Sequence, residues 1–435
     1  MLLAVAVAPI AQADIPATVA ALETPSVFDT DEGGSADSDD PAIWVNPLDR
    51  RKSLVLATKK NGGMDVFDLR GRVLQSFAPP PAPSDDGEAG RFNNVDLALR
   101  ARIGGRQRDL AVVTDRGRDR LRVYEIDARR AASGLPAVRD VTDPGQDFVF
   151  SSGEEEVLEQ TTAYGVAAVV GRRGGVLVFA SRRSRTAIAA VRLVDAGRGR
   201  VGWTRVDTTS LPASFPLPNG GAWTPCTDPG DLPQVEGMVF DERRDVLYAG
   251  QEDVGVWRIR FDHGAFGSAK LVDRVREFGV PSQLVPDPEE PEDVECEYLF
   301  DEDPGFGGRR LSADVEGLTI YRAKRRGEYL LVSSQGDDSF AVYDRAGAGR
   351  YLGSFAIGER TLAGGRLIDG VQESDGAHVV STPLPGFPHG LFVTQDGDDL
   401  DATGAEQEAA TNFKFVRWER IARLFAPPLV AHGRP

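Results

Sequence analysis

The chemistry this chain offers is oxygen donors and cationic side chains set in a repeating order. The phrase Val-Glu-Gly stands at 235–237 and again at 315–317, and Asp314 precedes the second copy. Further acids, amides and one phenol open matching stretches: Asp39 and Asp40, Asn93 and Asn94 with Asp96, Tyr164, and Asp369 with Asp375. Several carboxylates within a few ångströms cannot all stay ionised without cations. A flexible, all-oxygen donor set suits Ca²⁺ better than Zn²⁺. Bases recur in the same phase. Lys59 and Lys60 follow Leu-Ala-Thr, Arg116 follows Val-Val-Thr-Asp, and Arg182 and Arg183 follow Phe-Ala-Ser. Bases among acids at equivalent positions suit a polyanion held jointly by side chains and metal ions. Nucleophile signatures are missing: there is no Gly-x-Ser-x-Gly elbow and no P-loop, and neither cysteine is followed by Arg six residues on.

The elements that must position these groups are strands. After each Glu-Gly start come an apolar strand, a turn, a second strand ending in small polar residues, and a third strand, Val254–Trp257 in one copy and Phe340–Tyr343 in the other. Weaker copies open at Asp40, Asn94, Tyr164 and near Gly376. Looser fourth strands, such as Arg72–Phe77 and Tyr351–Phe355, complete the unit. A unit of four strands repeated six times predicts an all-β fold, a six-bladed β-propeller of four-stranded antiparallel blades. Residues 14–435 then form one domain, with the repeat starts converging at one mouth of the central channel. A large β-sandwich is the alternative, but it leaves the periodicity unexplained. The strand Asn412–Trp418 is expected to close the ring by joining the first blade or its neighbour, with a short helix over Glu419–Leu424. The stretches 212–229 and 281–304, rich in proline and acid, are expected as loops.

A formal charge of −17 over 435 residues argues against nucleic acid or an anionic membrane as partner and suits cation binding. A monomer acting on a small molecule is expected. Residues 1–13 are apolar and end in Ala11-Gln12-Ala13, which fits the end of a secretory signal that lacks its basic start. Export to a periplasmic or extracellular compartment follows. In such a compartment two lone cysteines pair, and Cys226 and Cys296 each precede a copy of the Glu-Gly phrase, so a 226–296 disulfide is expected.

Taken in order, several segments are similar to one family. They are Asp39–Trp44, Thr58-Lys59-Lys60, Asn93–Asp96, Tyr164-Gly165, Gln234–Met238, Glu252-Asp253, Asp314–Tyr321, Ser333–Gly336, Ser374–Gly376, Phe392–Gly397 and Asn412–Ala422. The chain resembles the β-propeller phytases, calcium-dependent 3-phytase-like phosphatases acting on myo-inositol hexakisphosphate (phytate). The resemblance implies several calcium ions, with one phosphate in a cleavage site and its neighbour in an affinity site. It implies Glu236, Asp314, Glu316, Asp375 and Asp39 as calcium ligands or water-orienting acids. Lys59, Lys60, Arg116, Tyr164 and Arg182 become phosphate-binding groups, Lys59 and Arg116 with a catalytic role. Asp40 and Asp369 become ligands of structural calcium. Departures are Arg182 for a common Lys, Asp115 for Asn, Gln251 for an acid and His378 for Asp. The implied reaction is direct attack of a metal-bound water on a phosphomonoester, with no phosphoenzyme. A calcium-dependent propeller lactonase or sugar-acid hydrolase, and a non-catalytic binding propeller, stand as alternatives.

Overall fold

Six antiparallel sheets follow one another along the chain, and their first strands form a ring. The structure is a computed structural model that describes residues 15–30, 35–286, 294–323, 327–345 and 349–431. The export segment expected over 1–13 lies outside the described residues. The innermost strands are Pro41–Trp44, Phe92–Ile103, Ala163–Val170, Val235–Asp241, Val315–Arg322 and Ala377–Val380. They coincide with the six repeat starts, so the six-bladed β-propeller stands. Strands near the axis are covered on both faces and read as apolar runs, as in Leu54–Thr58. Outer strands such as Val73–Phe77 meet water. Aromatic residues fill the wedges between blades: Phe179 stacks on Phe240 at 5.1 Å, and Phe340 meets Phe392 at 5.2 Å.

The strand expected over Asn412–Trp418 lies in the sixth blade, beside the first, but the strand that closes the ring is another. Ala410–Arg417 is the third strand of the sixth blade, paired with Leu391–Asp396. The outermost strand comes from the other end of the chain, where Leu22 pairs with Phe415 and Val27 with Thr411. Ala17–Val19 adds a parallel edge to the fifth blade. These closing strands are two or three residues long and flanked by Pro16 and Pro25, so they carry no period-2 signal. The short helix falls at Trp418–Ala422, where the Trp418 ring lies 3.8 Å from Tyr321.

The Glu-Gly phrase has a structural reason in two parts. First, ladder register shifts between Phe92 and Val95, Ala163 and Val166, Val235 and Met238, and Val315 and Leu318. A bulge frees a residue from the ladder and re-aims its side chain. At four successive blades the freed residues are Asn93-Asn94, Tyr164-Gly165, Glu236-Gly237 and Glu316-Gly317. Second, each glycine lies against the backbone of the next inner strand. A Cβ on Gly165 would sit 1.9 Å from the Glu236 carbonyl oxygen, and one on Gly237 would sit 1.6 Å from that of Glu316. The Gly317 N–H donates to the Asp375 carbonyl at 2.6 Å. The acid therefore faces the mouth because the residue after it has no side chain to hold the next blade away.

Gly237→Ala is predicted to cost about 1–3 kcal/mol, the range for overpacking a tight site. Gly175→Ala, where an added Cβ meets nothing within 4 Å, serves as the control. Chemical denaturation midpoints of the two variants check this; equal midpoints would contradict it.

Candidate active site at the channel mouth

Three of the freed or strand-ending acids meet. Glu236, Glu252 and Glu316 offer carboxylate oxygens that all lie within 4.8 Å of one another. All three are buried. The Asn93 amide donates to Glu236 Oε1 at 2.7 Å and the Gln234 amide to Glu252 Oε2 at 2.8 Å. The remaining oxygens are left over: Glu252 Oε1, Glu316 Oε2 and both oxygens of Asp39 have no hydrogen-bond partner among the described residues. Asp375 completes this side, with Oδ1 accepting from Gln335 at 2.9 Å and Oδ2 at 3.3 Å from Lys60 Nζ. A second group adjoins it. Asp314 shares a hydrogen bond with Asp253 and feels the charge of Glu277, and Glu277 accepts from the Ala313 N–H at 3.0 Å.

Crowding shows in the proton affinities. Burial, then the charge of Asp375, pushes Glu236 up to about 7. Burial, then Glu277 and Asp375, pushes Asp314 up to about 6. Asp39, Glu252, Asp253 and Glu316 are raised well above the usual carboxylate range, by burial first and neighbouring acids second.

Of the bases, Lys60 and Arg116 reach this place and two others do not. Lys60 bridges Asp375 and Asp37, the latter at 2.5 Å. Arg116 donates to Asn93 Oδ1 at 3.1 Å, and its guanidinium stands 5.6 Å from the centre of the Tyr164 ring. Lys59 instead turns back onto Asp65 at 2.9 Å, where both side chains are largely buried. Arg182 is held by Glu156 at 2.7 Å and by the Thr161 carbonyl at 2.6 Å. Asp40 ties two blades together, its Oδ2 accepting from the Val95 N–H at 2.9 Å. Asp369 does not join the mouth; it lies with Glu23, Asp396 and Asp399 around the buried ammonium of Lys414. His378 Nδ1 accepts from the Ile43 N–H at 3.1 Å, and burial lowers the ring to about 4. Gln251 braces carbonyls of Pro212 and Pro233 and accepts from Trp257.

Glu252, Asp253, Glu277 and Asp37 were assigned no role from sequence. Glu252-Asp253 follows the second strand of the fourth blade, the phase that supplies Lys59-Lys60 and Arg116 elsewhere, so the repeat contained that signal. Glu277 lies in an insertion outside the repeat and had none. The insertions are not plain loops. Phe215–Pro216 pairs with Ala222–Trp223, and Ser282–Pro286 with Val294–Tyr298. The Cys226–Cys296 disulfide joins them, as expected. It brings the buried Tyr298 hydroxyl beside Asp253, Glu277 and Asp314.

Unpaired, buried, all-oxygen donors fit a hard divalent cation. The phytase family model matches residues 1–211 and 289–431. A 3-phytase of Bacillus subtilis (strain 168) is 30% identical over 400 residues, covering 91% of this chain and 83% of its own length. The chain belongs to the phytase family. It is a β-propeller phytase, a phosphoric monoester hydrolase. The segment 212–288, which the family model leaves unmatched, carries Glu236, Glu252 and one half of the disulfide. Among solved structures, a chain of the mitotic checkpoint complex covers 96% of this phytase at 10% identity with a TM-score of 0.39. The Myceliophteria thermophila Cps50 (Swd1) propeller domain covers 88% at 11% identity with a TM-score of 0.34. Neither bears on function.

The raised acids set a pH dependence. Without cations the folded chain keeps protons at Glu236 up to about pH 7 and at Asp314 up to about pH 6, whereas ordinary values are 4.5 and 3.8. Stability from these groups is full below the ordinary values and is lost as pH rises through 6 to 7. The melting temperature of chelator-treated protein should therefore fall across that window, and added calcium should restore it most at the upper end. A chelated melting curve that rises across the window would contradict this.

Proposed function

We propose that this phytase is calcium-dependent and releases phosphate from phytate by direct attack of water on phosphorus. The observation that carries the reading is the set of unpaired, buried carboxylates at Asp39, Glu236, Glu252 and Glu316 with Lys60 and Arg116 beside them. A highly charged anion could not approach these acids unless cations inverted the local field. Glu236, Glu252, Glu316, Asp39, Asp314 and Asp375 would hold Ca²⁺. When bound, Ca²⁺ neutralises substrate charge and makes water a better nucleophile at neutral pH.

The chain's own residues do the rest. Lys60 and Arg116 meet phosphate oxygens and stabilise charge on the transferring group. Asn93 fixes the Glu236 carboxylate and is fixed in turn by Arg116, so the acid and phosphate-binding halves keep one geometry. Tyr164 supports the Arg116 guanidinium with its ring. Asp314 has no acidic counterpart in the first Glu-Gly copy, where Gln234 stands. It orients the attacking water together with Asp253. The P–O bond to the inositol oxygen breaks as the water oxygen bonds to phosphorus; the water gives up a proton to solvent, and the leaving oxygen takes one from solvent. No covalent phosphoenzyme enters: both cysteines are in the disulfide, and His378 serves the Ile43 backbone. Disulfides persist in oxidising compartments, which supports an exported enzyme.

Phosphate release from phytate should require calcium and stop in excess EDTA. Glu316→Gln and Lys60→Ala should each lower kcat/KM by about 100-fold or more, as loss of one electrostatic stabiliser does. Full release in excess EDTA would sink the calcium-dependent reading.

A further inference from the structure

The formal charge of −17 is a sum, and its parts are separated in space. Each blade's first strand begins at the mouth. In an antiparallel blade the turns from first to second strand and from third to fourth therefore lie on the opposite face. On the first three blades these turns are cationic. Exposed cations that form no ion pair among the described residues are Lys52 and Arg70 in the first blade, Arg102 and Arg106 in the second, and Arg172 and Arg173 in the third. The acids of the same turns are already engaged. Asp49 holds Arg51 at 3.0 Å and Asp68 holds Arg72 at 2.6 Å. Asp127 accepts from the N–H groups of Arg129 and Arg130, and Asp195 from that of Gly197. The next two blades differ. There Arg243, Arg244 and Arg345 pair with Asp241 and Glu328, and Arg322 pairs with Glu242.

The cationic turns form one continuous surface. Asn46 of the first blade donates to the Ala128 carbonyl of the second at 3.3 Å. The Arg102 N–H donates to the Gly174 carbonyl of the third at 2.7 Å. Apolar side chains stand among the charges. The three most exposed large apolar residues of the described chain are Leu48, Leu135 and Leu74, at 61%, 53% and 52%, and all three lie on this face. Leu74 and Leu135 line a cleft of about 780 Å³ together with Arg51, Lys52, Arg70 and Arg72. A single exposed leucine is ordinary. Three of them set among unpaired cations have the composition of a surface that lies on lipid, where cations meet phosphate headgroups and leucines enter the acyl boundary. A single-stranded nucleic acid would call for stacking platforms, and no aromatic side chain of this face is exposed.

We propose that the face opposite the mouth, on the first three blades, docks on a bilayer surface bearing anionic phosphate headgroups. Leu48, Leu74 and Leu135 enter the acyl boundary, and the mouth is held toward the solvent side. The acidic half of the molecule is then turned away from the lipid, so the negative total charge does not oppose docking beyond the screening length of the salt.

The test is cosedimentation of the full chain with vesicles of phosphatidylcholine, with and without phosphatidylglycerol. Chelator is present, so that no calcium bridges the acidic mouth to lipid. Binding is expected on the phosphatidylglycerol vesicles at low salt, and it should weaken as salt rises. The triple variant Arg70→Glu, Arg172→Glu, Arg173→Glu should bind these vesicles about a hundredfold less tightly or worse. Its melting temperature and its phosphate release in calcium should match wild type. The double variant Leu48→Ser, Leu135→Ser should lose about tenfold in vesicle binding and keep its retention on heparin, a soluble polyanion. Equal binding to both kinds of vesicle, or binding to neither, would overturn the proposal. Full vesicle binding by the leucine variant would also overturn it, assigning the face to soluble polyanions. So would full binding by the arginine variant, which would put the contact elsewhere on the molecule.

Discussion

Like charges forced together away from water are the constraint on which this phytase depends. Glu236, Glu252 and Glu316 bring oxygens within 4.8 Å of one another in a buried place, with Asp39 and Asp375 close by. Such a group can exist in two ways, holding protons or holding cations. As pH rises through about 7 the Glu236 proton is lost, and positive charge from outside then favours the fold. Catalysis and stability are joined at this point, because the ions that would face the substrate are the same ions that let the blades approach.

A second acid cluster shows the other solution. Glu23, Asp369, Asp396 and Asp399 surround Lys414, whose side chain is wholly buried. Here the chain supplies its own ammonium, and the cluster fastens the N-terminal closing segment, through Glu23, to the sixth blade. At the mouth no ammonium of the described residues pairs with the Glu236–Glu252–Glu316 triad; Lys60 lies to one side, between Asp37 and Asp375. One cluster carries a cation of its own, a single ammonium among four carboxylates. The other keeps free oxygens, as a site for exchangeable ions requires.

Much of this was legible because it repeats. Six strand starts in phase gave the ring, and the acids at those starts gave the mouth. Glu236, Glu316, Asp39, Asp375, Tyr164, Lys60 and Arg116 converge as repeat phase implied. The misplaced residues were misplaced for local reasons. Lys59 and Lys60 are adjacent, so they leave the strand end on opposite sides, and Asp65 captures one of them. Arg182 is drawn to Glu156 on a short helical turn that belongs to no repeat. Asp369 precedes the sixth inner strand, Ala377–Val380, by too many residues to stand at its start. Ring closure was hidden because strands of two or three residues gain their order from the partner strand, not from their own pattern.

The central claim is that the mouth carboxylates hold protons until cations replace them. The most direct measurement is calorimetric titration of calcium into chelator-stripped protein near pH 6, repeated in buffers with different heats of ionisation. The heat should vary with the buffer, showing protons released as calcium binds. A heat independent of buffer, or no calcium binding at all, would contradict the account.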